Sequence, residues 1–144
     1  MSFTFVSSLP SPDVIREQFP LAANLAQQKQ QKDEELRKVF TGESDKFIVI
    51  IGPCSADNED SVVDYVHRLV KVQEKTKDRL IIVPRVYTNK PRTTGEGYMG
   101  MIHQPDPEKK PDMFEGILAI RHMHMHTLYL YPQFYQKHHQ TLGQ

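Results

Sequence analysis

The sequence is poor in cysteine, in net charge and in long apolar runs. Its single cysteine, Cys54, excludes an internal disulfide framework and makes a reducing cytoplasm the expected setting. Eighteen Lys plus Arg are balanced by 18 Asp plus Glu, so no basic or acidic excess points to nucleic acid or to a membrane surface. No stretch approaches the ~18 apolar residues of a membrane span. The opening residues, with Phe3, Phe5 and Val6, lack the basic region and long apolar core of a secretory signal. A chain of 144 residues fits one ordinary domain and is long enough to bury a real core.

Two segments stand out against this background. Residues 47–55 read FIVIIGPCS and residues 80–94 read LIIVPRVYTNKPRTT. Each is a β-branched and aliphatic run that breaks at Gly or Pro and then delivers reactive or charged side chains, as strands do where they end in an α/β active site. The first run is continuously apolar, which suits a parallel strand covered on both faces. Between the runs, Asp57, Asn58 and Asp60 offer N-caps. Residues 61–75 then place Val62, Val63, Tyr65, Val66, Leu69, Val70 and Val72 on one broad helical face. Strand, helix and strand at this spacing predict a right-handed βαβ crossover.

Upstream, Pro10, Pro12 and Pro20 frame an arm with one helical turn, capped by Ser11 or Asp13. Residues 21–40 are rich in helix formers and predict a mostly solvated helix that ends at Thr41-Gly42. Downstream, Asp112 is placed to cap a last helix carrying Phe114, Ile117, Leu118 and Ile120. From His122 onward the pattern changes: five of the seven His cluster there, acidic residues vanish, and neither helix nor strand fits cleanly.

Two motifs carry less than they promise. Residues 95–100, GEGYMG, match the G-x-G-x-x-G string, but Lys90, Pro91 and Arg92 separate them from the strand and Pro105, Pro107 and Pro111 forbid a following helix. A glycine loop beside the site is the better reading. His122, His124 and His126 alternate, which would align them on a strand and scatter them on a helix. No strand is predicted there and no carboxylate follows, so an exposed tail is preferred to a metal site.

Cys54 and the basic cluster are the chemical candidates. A lone Cys ending a strand is commonly a small buried hydrophobe, yet a thiolate at a strand-to-loop junction is equally suited to bind a divalent metal or attack an electrophile. Arg85 shares a strand face with Val83 and Tyr87. Lys90 and Arg92 follow in a loop stiffened by Pro91, with Thr93 and Thr94 adding hydroxyls. Such a set suits phosphate or carboxylate: bidentate Arg, point-charge Lys and neutral donors. A solvated charged turn is the alternative, and no acidic residue between 80 and 94 neutralises the cluster.

GPCS at 52–55, PRVYTNKPRTT at 84–94, the GYMG loop and LPSPDVIREQFPL at 9–21 together resemble the type I 3-deoxy-D-arabino-heptulosonate 7-phosphate (DAHP) synthases of bacteria and fungi. The resemblance covers about residues 9–122. Sister enzymes that make 3-deoxy-D-manno-octulosonate 8-phosphate carry KANRS where this chain has KPRT, which favours erythrose 4-phosphate as the second substrate. The resemblance implies an α/β fold, the N-terminal part of a TIM (β/α)8 barrel behind a helical extension. It implies the shikimate-pathway condensation of phosphoenolpyruvate with erythrose 4-phosphate and water, releasing phosphate. It also implies a divalent metal ion, with Cys54 as one ligand. Arg85 and Lys90 would hold phosphoenolpyruvate, Lys90 also lying near the aldehyde. Pro91, Arg92 and Thr93 would line the erythrose 4-phosphate site. The complete enzyme is expected to be a homo-oligomer.

The same resemblance implies an incomplete set. A TIM barrel typically takes about 250 residues, and the family's other metal ligands, one His and two acidic residues, have no counterpart here. The expected organisation is an extension over residues 1–46, a first βαβ unit and substrate loop over 47–121, and an atypical tail over 122–144, read as out of frame after a frameshift or deletion. The expected product is an inactive copy of the synthase. The alternatives are a non-catalytic fragment associating with a full-length synthase and a small anion-binding domain. Without neighbours, the strand at 47–51 is an apolar, charge-free edge of the kind that pairs with other chains.

Overall fold

The structure, a computed structural model, describes residues 8–89 and 97–130. Six elements follow in the order α1 (Pro12–Gln18), α2 (Ala23–Phe40), β1 (Phe47–Ile51), α3 (Glu59–Thr76), β2 (Leu80–Pro84) and α4 (Met113–Leu130). Local chemistry sets their ends. Ser11 Oγ accepts the Val14 N–H at 3.5 Å, and Pro12 opens α1 where its missing donor costs nothing. Asn58 Oδ1 accepts the Ser61 N–H at 2.9 Å at the start of α3. Asp112 Oδ1 accepts the N–H groups of Phe114 and Glu115 before α4.

The long polar helix α2 buries only Leu25. Side-chain pairs one turn apart support its exposed length, Lys29 with Asp33 and Arg37 with Glu34. Arg37 also reaches Glu43 beyond the helix, and its hydrogen bonds hold the carboxyls of Glu34 and Glu43 below the ordinary range. Gly42, at φ 75°, supplies the left-handed residue that turns the chain toward β1.

β1 and β2 pair in parallel, from Phe47 opposite Leu80 to Ile51 opposite Pro84, with α3 as the crossover. Among the described residues the sheet has these two strands and does not close. The continuous apolar run of β1 is therefore not covered on both faces: Phe47, Ile50 and Ile51 are exposed. Its barrel-like context is incomplete, which is the physical reason for the difference.

The core lies where α3 and α4 meet the loops behind the sheet. Ala56, Val62, Val66, Met101, Met123 and Leu130 are buried together. On α3 the buried stripe does not reach Val72, which is exposed. Gln73 faces β2 instead, and the next residue along a helix is turned about 100° away.

The stretch after His122 corrects the expectation from sequence. Residues 122–130 are the second half of α4, and Met123, Met125, Thr127 and Leu130 are buried. The boundary expected at residue 122 thus falls inside a helix. His122 and His126, one turn apart, each place Nδ1 on Glu59, at 2.9 and 2.8 Å. The carboxylate that no downstream residue provides comes from the start of α3. Burial opposes ionisation of Glu59, but the two histidine hydrogen bonds outweigh it and keep the carboxyl below its ordinary range.

His124 points elsewhere and is half-buried. Burial, reinforced by the nearby charge of Arg121, lowers its pKa from the ordinary 6.5. The unfolded chain therefore takes up this proton first as pH falls, so the contribution is intact above pH 6.5 and is lost as pH drops through the lowered folded value. Chemical denaturation across this window is expected to show a falling midpoint. A His124→Gln variant should flatten that slope, and an unchanged slope would exclude His124 as its source.

Candidate functional site at the strand ends

Both informative segments emerge from the same end of the sheet. The Arg85 N–H donates to the Ile51 carbonyl at 2.9 Å, so the strands remain joined as β1 gives way to Gly52-Pro53-Cys54. Further along both loops, the Ala56 N–H donates to the Tyr87 carbonyl at 2.8 Å. The Met101 N–H donates to the Thr88 carbonyl at 2.9 Å, and Asn89 forms an antiparallel bridge with Gly100. Three loops are thus laced by backbone bonds into one rim. Its underside is anchored because Ala56 and Met101 belong to the buried core.

Gly52 is the pivot of this rim. A Cβ at this position would lie 1.9 Å from the Arg85 carbonyl oxygen and 2.8 Å from its carbon. Only a residue without a side chain lets the two strand ends approach so closely. Past it, Cys54 is exposed and carries a free thiol, so it is not the buried hydrophobe that a lone cysteine often is.

Arg85 is exposed, and its guanidinium carbon lies 4.8 Å from the centroid of the Tyr87 ring. The alternation along the strand predicted that the two would share a face. Stacking on the ring limits the rotamers of a long cation and leaves its donors available in plane. Tyr87 was not among the site residues read from sequence, although its i+2 spacing from Arg85 was the signal for it. Tyr98, on the third loop, is half-buried, and burial together with the charge of Asp57 raises the pKa of its phenol. Lys90, Pro91, Arg92 and Thr93 lie outside the described residues.

The described residues do not fit a metal centre. Among them no group of three or more His, Cys, Asp or Glu side chains is arranged to hold an ion. No such group surrounds Cys54 among the described residues. Neither do the alternating histidines form such a group, since two of them are engaged with Glu59 and the third faces away.

The DAHP synthetase I family model matches residues 22–124, which include both strands, Cys54, Arg85 and the whole basic loop. The chain belongs to this family. It is 32% identical over 115 residues to the phenylalanine-inhibited phospho-2-dehydro-3-deoxyheptonate aldolase of Saccharomyces cerevisiae, covering 80% of the chain and 31% of that protein. It is 34% identical over 113 residues to the corresponding aldolase of Corynebacterium glutamicum, covering 78% of the chain and 31% of the relative. The structure of the Francisella tularensis aldolase matches with a TM-score of 0.80 at 24% identity, over 91% of this chain and 38% of that one. That likeness carries the fold alone. The chain thus spans about a third of the length of these family members, consistent with a parallel sheet that is not closed. The family match ends at residue 124, inside α4.

Proposed function

We propose that this chain supplies the first substrate-holding loops of a 3-deoxy-7-phosphoheptulonate synthase and lacks activity by itself. The observation that carries this reading is the family match running unbroken through both strand ends. In that reading Arg85 and Lys90 hold phosphoenolpyruvate, and Lys90, the catalytic residue, also lies near the aldehyde of erythrose 4-phosphate. Pro91, Arg92 and Thr93 line the erythrose 4-phosphate subsite. Both substrates are anions, and bringing them together requires fixed cations that offset their repulsion in a site from which water is excluded. Arg85, steadied by Tyr87, supplies one such charge at the rim. Cys54 is its neighbour on the adjoining strand end, offered as one metal ligand, but the described residues do not complete a centre around it. What the chain contributes is therefore anion binding and positioning. The remaining strands of the barrel must bring the rest. The cytoplasm is the proposed setting, and among the described residues no helix is long and apolar enough to cross a membrane.

The test is release of inorganic phosphate from phosphoenolpyruvate and erythrose 4-phosphate in the presence of divalent metal. No release is expected from the chain alone. Mixing it with a polypeptide carrying the later two-thirds of a relative is expected to restore release, and Arg85→Ala or Lys90→Ala should abolish it. Activity of the chain alone would refute the incomplete-site reading. Restored activity indifferent to both substitutions would refute the residue assignments.

A further inference from the structure

Val86 packs against the buried core, so Arg85 and Tyr87 on either side of it turn to the opposite face. Backbone bonds to the neighbouring strand end hold both residues: the Arg85 N–H donates to the Ile51 carbonyl, and the Tyr87 carbonyl accepts from the Ala56 N–H. Ala56 is 1% exposed, so the tyrosine is tied directly to the core. Its ring is thus a fixed surface, and the guanidinium carbon of Arg85 lies 4.8 Å from the ring centroid.

Arg85 differs in this from the other arginines among the described residues. Arg16, Arg37, Arg68, Arg79 and Arg121 each have a protein oxygen as side-chain partner, and for the first four it belongs to a carboxylate. The Arg85 guanidinium rests on a π face instead. Such a face attracts the cation through the ring quadrupole while taking none of its N–H donors. A carboxylate in the same place would hold Arg85 as still but would neutralise it.

We propose that Tyr87 is a positioning residue for phosphoenolpyruvate: its ring fixes the Arg85 guanidinium so that the in-plane donors meet an anionic group of the substrate edge-on. This role presupposes the assignment of Arg85 to phosphoenolpyruvate. A long side chain gives up rotamer freedom when it grips a ligand, and holding it beforehand lowers that cost. The role belongs to the aromatic face and not to the phenol hydroxyl. At an exposed site a contact of this kind is worth about two- to fivefold in affinity.

Nuclear magnetic resonance on the isotopically labelled chain tests both the contact and its effect. A ring current shifts protons above its face upfield, so the Arg85 Nε–H and δ protons are expected upfield of those of Arg68, whose partner is Asp64. Tyr87→Phe should keep that shift and Tyr87→Leu should abolish it. Phosphoenolpyruvate titrated into the chain should move the Arg85 Nε–H resonance, with a Kd raised about two- to fivefold by Tyr87→Leu and unchanged by Tyr87→Phe. Tyr87→Gln serves if the leucine variant loses its dispersed amide spectrum. The Kd for erythrose 4-phosphate should respond to none of these variants, whereas a general loosening of the rim would weaken both ligands. Arg85 protons without the upfield shift would overturn the proposal. So would a phosphoenolpyruvate Kd indifferent to loss of the ring, a phenylalanine variant as weak as the leucine one, or equal weakening of both ligands. Phosphoenolpyruvate that leaves the Arg85 resonance unmoved, with the upfield shift present, would instead remove Arg85 from the substrate site, and the role of Tyr87 with it.

Discussion

Gly52→Ala is expected to lower the midpoint of thermal unfolding by on the order of 10 °C, the equivalent of about 3 kcal/mol for a chain of this size. The added methyl would lie 1.9 Å from the Arg85 carbonyl oxygen, far inside contact distance. The obstructing atom belongs to the backbone, not to the end of a flexible side chain, so relief requires the strand ends to part. Parting them strains the Arg85 to Ile51 bond on one side of Gly52 and the Ala56 to Tyr87 bond on the other. Cys54 and Arg85 then lose the spacing that the rim imposes. The same variant should therefore prevent phosphate release in the complementation assay at temperatures where it remains folded. Gly42→Ala is a useful contrast, because a Cβ there meets nothing within 4 Å and only the positive φ is penalised, by about 1 kcal/mol. Equal midpoints for Gly52→Ala and the unmodified chain would show that the strand ends do not approach this closely.

Much of the βαβ unit was legible because its signals are local. Continuous β-branched runs, Asn58 before an amphipathic stretch, and Thr41-Gly42 after a run of helix formers each act over a few residues. The predicted start of α2 differs from the structure by two residues, and the predicted bounds of β1 coincide with it. The second half of α4 was not legible. Its buried residues, Met123, Met125, Thr127 and Leu130, do not repeat at one helical spacing, and the His-Met alternation imitates the period of a strand. A helix buried on more than one side loses the single stripe that sequence reading depends on.

The candidate site divides in the same way. Cys54 and Arg85 were found as strand-end residues, and Tyr87 was within reach of the alternation rule. Glu59 and Gln73 were not. Glu59 receives two histidines that follow it by 63 and 67 residues, and nothing near Glu59 in sequence announces them. Gln73 carries no sequence signal that sets it apart from the other polar residues of α3. Its amide donates to the Leu80 carbonyl and accepts from the Ile82 N–H only because the crossover returns it to β2, a consequence of tertiary geometry that no window of sequence contains.

Met123→Ala should destabilise the chain by about 3 kcal/mol, within the range of roughly 2–5 kcal/mol measured for truncating buried Met or Leu side chains. Met123 is 0% exposed and packs with Val62 and Val66 of α3, with Met101 of the third loop and with Ala56 below the rim. Removing its thioether leaves a void bounded by α3, α4 and two loops, which cannot all collapse inward without breaking the backbone bonds that lace the rim. Tyr129→Ala, at a site 51% exposed on the same helix, should cost much less, within about 1 kcal/mol. The pair separates two pictures of the chain beyond His122. A tail appended without native packing would tolerate both substitutions alike. A helix that completes the core would show the large difference in urea midpoint, with unchanged denaturant slope. If both variants unfold together with the unmodified chain, α4 past His122 contributes nothing to the core, and the support beneath Ala56 and the strand-end rim must come from α3 and the 101–102 turn alone.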